Sequence, residues 1–513
     1  MKKSLLVLVT ILLTLCFAAS FSFAAAPKPT GTLRAAVANF TYESFDPIVY
    51  ESFWGWAMYD SLLTFDPKGN IVGSVAESYK LSPDGKTWTF KIRKGMKFHN
   101  GDPVTSADVA FSVGRFSSKE STNPWSPYLR NNFESMETPD PDTFVYHSAR
   151  PEPPLAVPFA WTRILPKNYI EKNGIDHFRK NPIGSGPWKF VKFVSKTSVE
   201  LAANTEHWRQ VPYFEKYIEY MVPEESTRVA MLKRGDIDIS TDLSFDRLVE
   251  LKKDGFALQE LGLPTLANIN FSGTFMTQGP TSDKRVRQAM SYAINRQELC
   301  DTFYKGFGKP GGRWFMSEET WGWDPKWKAD PYDPNKVKVL LKEAGYPGKF
   351  KDPVINIYTQ AQWADLMQAL AGYWDAAGIQ TKINVIDAMT YGGYIFVRAK
   401  DASVPVVGGI WPWVFGSFFN NVYHSANMFT SKGVHTTAND PKADEMYDKA
   451  VKELDPVKAK RMWTDFMNYG YDMWVTVGIV KVPAYNAAGP KVGKFTSNAH
   501  LSLWDALAGI QHK

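Results

Sequence analysis

The period of hydrophobic positions changes along the chain, and each change marks an element. In YKLSPDGKTWTFKIRKG, Trp88, Phe90 and Ile92 alternate with polar residues behind the turn chemistry of Pro83-Asp84-Gly85. That pattern predicts a hairpin with one buried face. Asn100-Gly101 marks a further turn, and Thr105 with Asp108 three residues later predicts a helix cap opening TSADVAFSV. VPEESTRVAMLKRGDIDIS reads as a helix closed by Gly235 and then a strand, and Ser244 caps LSFDRLVELKKDG. In DPNKVKVLLKEAGYPG, Asp333 caps, Pro334 suits the first turn, and Val337, Leu340, Leu341 and Ala344 form one apolar face ending at Gly345. VINIY is strand-like. Trp363, Leu366, Met367, Leu370 and Trp374 follow at helical spacing up to Gly378, and Ile379, Thr381, Ile383 and Val385 then alternate. This strand-helix-strand unit argues for an α/β fold with a parallel or mixed sheet.

A chain of 513 residues predicts two or three domains. No Pro/Gly/Ser-rich linker divides it, as when strands cross from one domain to the next. Lys2 and Lys3 precede the apolar run LLVLVTILLTLCFAASFSF, and Ser22-Phe23-Ala24 fits small-x-small cleavage, so residues 1–24 read as a signal peptide. Leu15 before Cys16 does not suit lipid attachment, so no lipid anchor is expected. Cleavage removes two lysines and lowers the formal charge from +6 to +4, too mild a balance to argue for nucleic acid or an anionic membrane. Cys300 is then the remaining cysteine, so no internal disulfide is expected, and no later segment is apolar enough to span a bilayer.

Enzyme signatures are scarce. The eight histidines are scattered without metal-ligand spacing, and there is no nucleophile elbow. GFGKPG (Gly306 to Gly311) matches a dinucleotide pattern literally but follows a helix and contains Pro310, so it reads as a flexible loop. Neither a catalytic residue, a metal nor a cofactor is expected. A secreted glycosidase, needing two carboxylates beside aromatic platforms, is the alternative, with Glu43, Asp46 and Glu51 as candidate acids.

AESYKLSPDGKTWTFKIRKGMKFHNGDPVTSADVAFS (Ala76 to Ser112), NPIGSGPWKF, RVAMLKRGDIDI and VRQAMSYAINRQEL resemble, in that order, the family 5 extracellular solute-binding proteins of ABC importers, the oligopeptide, dipeptide and nickel-binding group. The resemblance implies an α/β, two-lobed periplasmic binding protein fold with hinge strands and an extra subdomain in the first lobe. It implies a first lobe over 25–272, including the subdomain at about 66–184, a second lobe over 273–484, and a C-terminal return over 485–513. It also implies a monomeric periplasmic protein that closes on a small ligand and hands it to a membrane permease, with no bond made or broken.

GGIWPWVFGSFFNNVYH, from Gly408 to His424, carries six rings between Trp411 and Tyr423 and no formal charge. In dipeptide-binding members the loop corresponding to Gly408–Asn420 supplies an aspartate for the peptide's amino group, and an arginine after the strand resembling VINIY meets its carboxylate. Here the first has no acid and the second reads TQAQ, Thr359 to Gln362. An unpaired ammonium or carboxylate in a closed cleft carries a large desolvation cost, so the expected ligand is not a free zwitterionic dipeptide. A modified or longer peptide, an oligosaccharide and a metal chelate remain. Candidate contacts are Gly409, Trp411, Trp413, Phe415, Phe418, Gln360, Gln362 and Arg313 from the second lobe, and Tyr50, Glu51, Trp54, Trp125 and Tyr128 from the first. Trp411 and Trp413 flank Pro412, a pattern that suits an irregular loop better than a strand.

Overall fold

The computed structural model describes residues 28–40, 43–49, 54–66, 70–272, 274, 279–312, 323–346, 354–395, 410–415, 422–431, 433, 439–493, 495 and 507–513. Tyr50, Glu51, Arg313, Gly409, Phe418 and the expected signal peptide lie outside them.

Two long antiparallel strands, Ala257–Phe271 and Thr476–Ala488, run through the middle of one mixed sheet. On one side they continue into Ile239–Ser240, Thr32–Val37, Lys216–Met221, Ser198–Ala203 and Trp188–Val194; on the other into Ile410–Phe415, Ile355–Thr359 and Thr381–Val385. The ladder between the crossing strands is interrupted between Leu261/Ala484 and Thr265/Val482. Gly262, Leu263 and Pro264 fall there, where one half of the sheet gives way to the other, and a proline cannot donate to a ladder.

Each half of the sheet is covered on both faces. In the first half, Leu33, Trp54, Trp188, Leu201 and Tyr217 build the core on one side, and Val229, Leu232, Ile237 and Leu251 on the other. In the second, Ile269, Phe271, Met290, Ile357, Leu370 and Trp374 pack on one face, and Leu266, Trp327, Met428, Phe429, Trp463 and Phe466 on the other. Trp374 is fully buried and spends its indole N–H on the Met290 carbonyl at 3.0 Å, so a large apolar side chain enters the core with its polar atom satisfied. A four-stranded antiparallel sheet, in the order Ala76–Leu81, Thr87–Ile92, Thr143–Ser148 and Phe133–Asp140, forms a separate layer beside the first half around Trp88, Phe90, Phe144 and Phe159.

Local signals act where the sequence places them. Thr105 and Asp108 make a reciprocal capping box for Ser106–Phe116, the Thr105 N–H reaching Asp108 Oδ2 at 2.9 Å. Gly235 closes Glu225–Arg234 in the left-handed region at φ 78°. Ile355–Thr359 and Thr381–Val385 pair in parallel around the helix Ala364–Ala376. Ser244 stands at the cap position of Phe245–Lys253, but its side chain makes no capping bond.

Two of the signature motifs each carry a buried arginine that satisfies loop carbonyls. Arg287 donates to the carbonyls of Thr281, Ser282, Met473 and Trp474, and Arg228 to those of Val222, Pro223, Thr241 and Asp242. One planar fork thereby satisfies several loop carbonyls that would otherwise be buried unpaired. The GFGKPG segment is not a free loop. Lys309 and Pro310 pair with Lys481 and Val480 of the second crossing strand. A Cβ at Gly308 would sit 2.5 Å from Val480 Cγ1, and one at Gly311 2.7 Å from Leu266 Cδ1, so these glycines permit close approach to the strand.

Candidate functional site

Strand polarity defines the crevice. Thr32–Val37 runs parallel to Lys216–Met221 and Ile239–Ser240, and all three point their C-terminal ends along the first crossing strand toward the second half of the sheet. Ile410–Phe415 runs antiparallel to that crossing strand, with Phe415 opposite Leu266 and Ile410 opposite Phe271. It is parallel to Ile355–Thr359, so the C-terminal ends of the second half point back toward the first. Two sets of strand ends face each other across the interrupted stretch, the arrangement in which open α/β sheets bind ligands.

On the second side, Gln360 and Gln362 follow directly on Thr359, and Gln362 Nε2 donates to Gln360 Oε1 at 2.9 Å. Half-buried Trp363 packs on buried Tyr391, ring centroids 5.8 Å apart. Asp387, after Val385, caps the next helix by accepting the Met389 and Thr390 N–H groups at 3.0 Å each and the Thr390 hydroxyl at 2.5 Å, and the hydroxyl first, then these N–H groups, hold its carboxyl below the usual range. On the first side, Asp242 adopts φ 52° and accepts the Ala38 N–H at 3.0 Å and the Thr241 hydroxyl at 2.9 Å. Acids at both edges are therefore engaged in holding backbone.

The first side also presents a row of half-buried rings. Trp56 meets Trp161 edge to face at 4.9 Å, Trp161 stacks on Trp125 at 5.7 Å, and Trp125 leans on Tyr128 at 5.9 Å. Arg163, 4% exposed, lays its guanidinium 3.8 Å from the Trp56 ring. The row starts on the short helix Trp54–Met58 and crosses the extra layer through Ala156–Trp161 and Ser126–Asn131. It ends where Tyr128 Oη accepts a hydrogen bond from Asn427 Nδ2, 3.2 Å away on the second-lobe helix Val422–Phe429. Burial pushes the Tyr128 phenol well up, so it stays a neutral partner. Sequence reading found Trp125 and Tyr128 and missed Trp56, Trp161 and Arg163, which share no motif with them.

Two expectations need correction. Trp411 and Trp413 stand in a regular strand opposite Asn270 and Asn268, so their backbone is no irregular loop. Among the described residues Ile410 is the part of that strand paired on its other side, with Ile357. Phe415 ends the strand at the crevice. Trp54 is core, not pocket wall: it is 1% exposed among Phe40, Phe45 and Phe193, and its indole N–H goes to Glu219 Oε1 at 3.2 Å. Tyr217 donates to the other oxygen of Glu219 at 2.6 Å, and burial among these neutral donors raises the Glu219 pKa to about 8.

The two glycosidase acids among the described residues, Glu43 and Asp46, are engaged elsewhere. Glu43 accepts from the Ser195 hydroxyl and the Lys196 N–H, and Asp46 is fully buried against Arg115 at 2.9 Å and Arg179 at 3.1 Å. Among the described residues no group of three or more His, Cys, Asp or Glu gathers at metal-binding spacing, and no helix is long and apolar enough to cross a membrane.

Comparison with known proteins agrees with this architecture. The family model for bacterial extracellular solute-binding proteins, family 5 Middle, matches residues 70–430. The dipeptide-binding protein of Escherichia coli K12 is 28% identical over 398 residues, covering 70% of this chain and 72% of that protein. Two solved structures share the fold. NikA from Brucella suis in complex with Fe(III)-EDTA has a TM-score of 0.82 at 19% identity, over 94% of this chain and all of that one. The ABC transporter substrate-binding protein CtaP from Listeria monocytogenes has a TM-score of 0.80 at 20% identity over the same shares.

Proposed function

The chain belongs to the bacterial extracellular solute-binding proteins of family 5, and we propose that, as the substrate-binding component of an ABC importer, it captures a ligand without a free zwitterionic backbone between its lobes. The glycosidase alternative finds no support in this membership. The supporting observation is the uncharged crevice edge at Gln360 and Gln362, whose amides bond each other where a cation would be needed to pair a carboxylate. The ring row Trp56–Trp161–Trp125–Tyr128 gives the first lobe extended aromatic surface for apolar or sugar faces. Trp411, Trp413, Phe415 and Phe418 with Gly409 form the opposing wall in this reading, and Tyr50, Glu51 and Arg313 stand at its margins. The mature protein begins after Ala24, works as a monomer in the periplasm without a lipid anchor, and pivots at the interruption between residues 261 and 265. The lobes then divide at about residues 272 and 484, with 485–513 returning to the first.

Family relatives carry named cargoes as different as a dipeptide and Fe(III)-EDTA, so the ligand class has to be measured directly. A thermal-shift panel on ligand-stripped protein, with free dipeptides, N-acetylated and C-amidated peptides of the same sequence, oligosaccharides and metal chelates, separates the readings. Stabilisation by blocked peptides, sugars or chelates is expected, and a larger shift with the free dipeptides refutes the proposal.

A further inference from the structure

The extra layer touches the second lobe at two places away from the crossing strands. Tyr128 Oη accepts from Asn427 Nδ2 at 3.2 Å. Leu454, 37% exposed, covers the hairpin turn so closely that a Cβ at Gly85 would sit 2.5 Å from its Cδ2. These groups join segments some 300 residues apart in sequence, Tyr128 and Asn427 being separated by 299 positions. Opening at the interrupted stretch of the crossing strands has to break both contacts.

We propose that Tyr128, Asn427 and Leu454 form a clasp between the extra layer and the second lobe that biases the ligand-free protein toward closure. The clasp assigns the Tyr128 hydroxyl to the second lobe, leaving its ring to end the aromatic row. It rests on the two-lobed reading but on no particular ligand. Since a neutral hydrogen bond contributes modestly in water, loss of either contact is expected to lower the closed-to-open ratio about three- to tenfold.

The test is small-angle X-ray scattering on full-length mature protein, stripped of small molecules by unfolding in guanidinium and refolding. Wild type is compared with Tyr128→Phe, which removes one hydroxyl, and Leu454→Asp, at a partly exposed position where folding tolerates the change; urea melts establish that both variants fold. Wild-type scattering is expected to match the closed arrangement, and both variants to show a larger radius of gyration, most in the double variant. The clasp is overturned if stripped wild type already scatters as an open molecule, or if both folded variants scatter like wild type. Because no ligand is present, neither outcome depends on the ligand class proposed above.

Discussion

Replacing Glu219 by Gln should stabilise the protein at high pH and not at low pH. The carboxyl is 2% exposed, accepts from Trp54 at 3.2 Å and Tyr217 at 2.6 Å, and has its pKa raised from the ordinary 4.5 to about 8, chiefly by burial. A raised folded-state value means that the unfolded chain releases a proton that the folded chain retains. The stability is therefore fully present below pH 4.5 and is lost as pH rises toward about 8. At about 1.4 kcal/mol per pKa unit, carrying wild type from pH 5 to pH 8 costs about 3 to 4 kcal/mol through this group alone. Glutamine preserves an acceptor and carries no proton to lose. Urea melts followed by tryptophan fluorescence at both pH values give the difference between variant and wild type, in which every other titrating group cancels. The variant should gain about 3 kcal/mol on wild type between pH 5 and pH 8. An unchanged difference at the two pH values would refute the assignment of a neutral, buried carboxyl beneath Trp54.

His99 should act at the acid end. Its Nδ1 accepts from the Gly184 N–H at 3.2 Å, its Nε2 faces the Gly186 carbonyl at 3.0 Å, and burial lowers its pKa to about 4. About 3 kcal/mol of stability present above pH 6.5 is lost as pH falls toward 4, and His99→Gln flattens that slope in acid melts. Gly311→Ala should cost about 1–3 kcal/mol in a urea melt, because the new Cβ meets Leu266 Cδ1 at 2.7 Å and the Val480 nitrogen at 3.0 Å. Arg228→Met should cost about 2–4 kcal/mol by the same assay, since four loop carbonyls lose their donor; a loss under 0.5 kcal/mol would show that water replaces it.

Features that depend on nearby residues were legible in the sequence. The Thr105–Asp108 box, the Gly235 stop and the apolar face Leu366, Met367, Leu370 and Trp374 all follow from local hydrogen bonding or a single period. Two crossing strands follow from the family resemblance together with the missing linker. What escaped was set by distant partners. Pro412 signals a break, yet the strand forms because the first crossing strand pairs with it from Leu266 to Phe271. Trp54 looks like a pocket aromatic until Glu219, 165 positions away, takes its N–H. Trp56 and Trp161 gain meaning only when a fold brings two short helices together, and neither carries a spacing that could have announced the ring row.

The central claim is that a neutral, aromatic crevice has replaced a charge clamp. Native mass spectrometry of freshly purified protein, followed by denaturing release and identification of the bound molecule, tests it most directly, because lobe closure slows dissociation. The account predicts a blocked or longer peptide, a sugar or a chelate. Release of a dipeptide with free amino and carboxyl termini would contradict it.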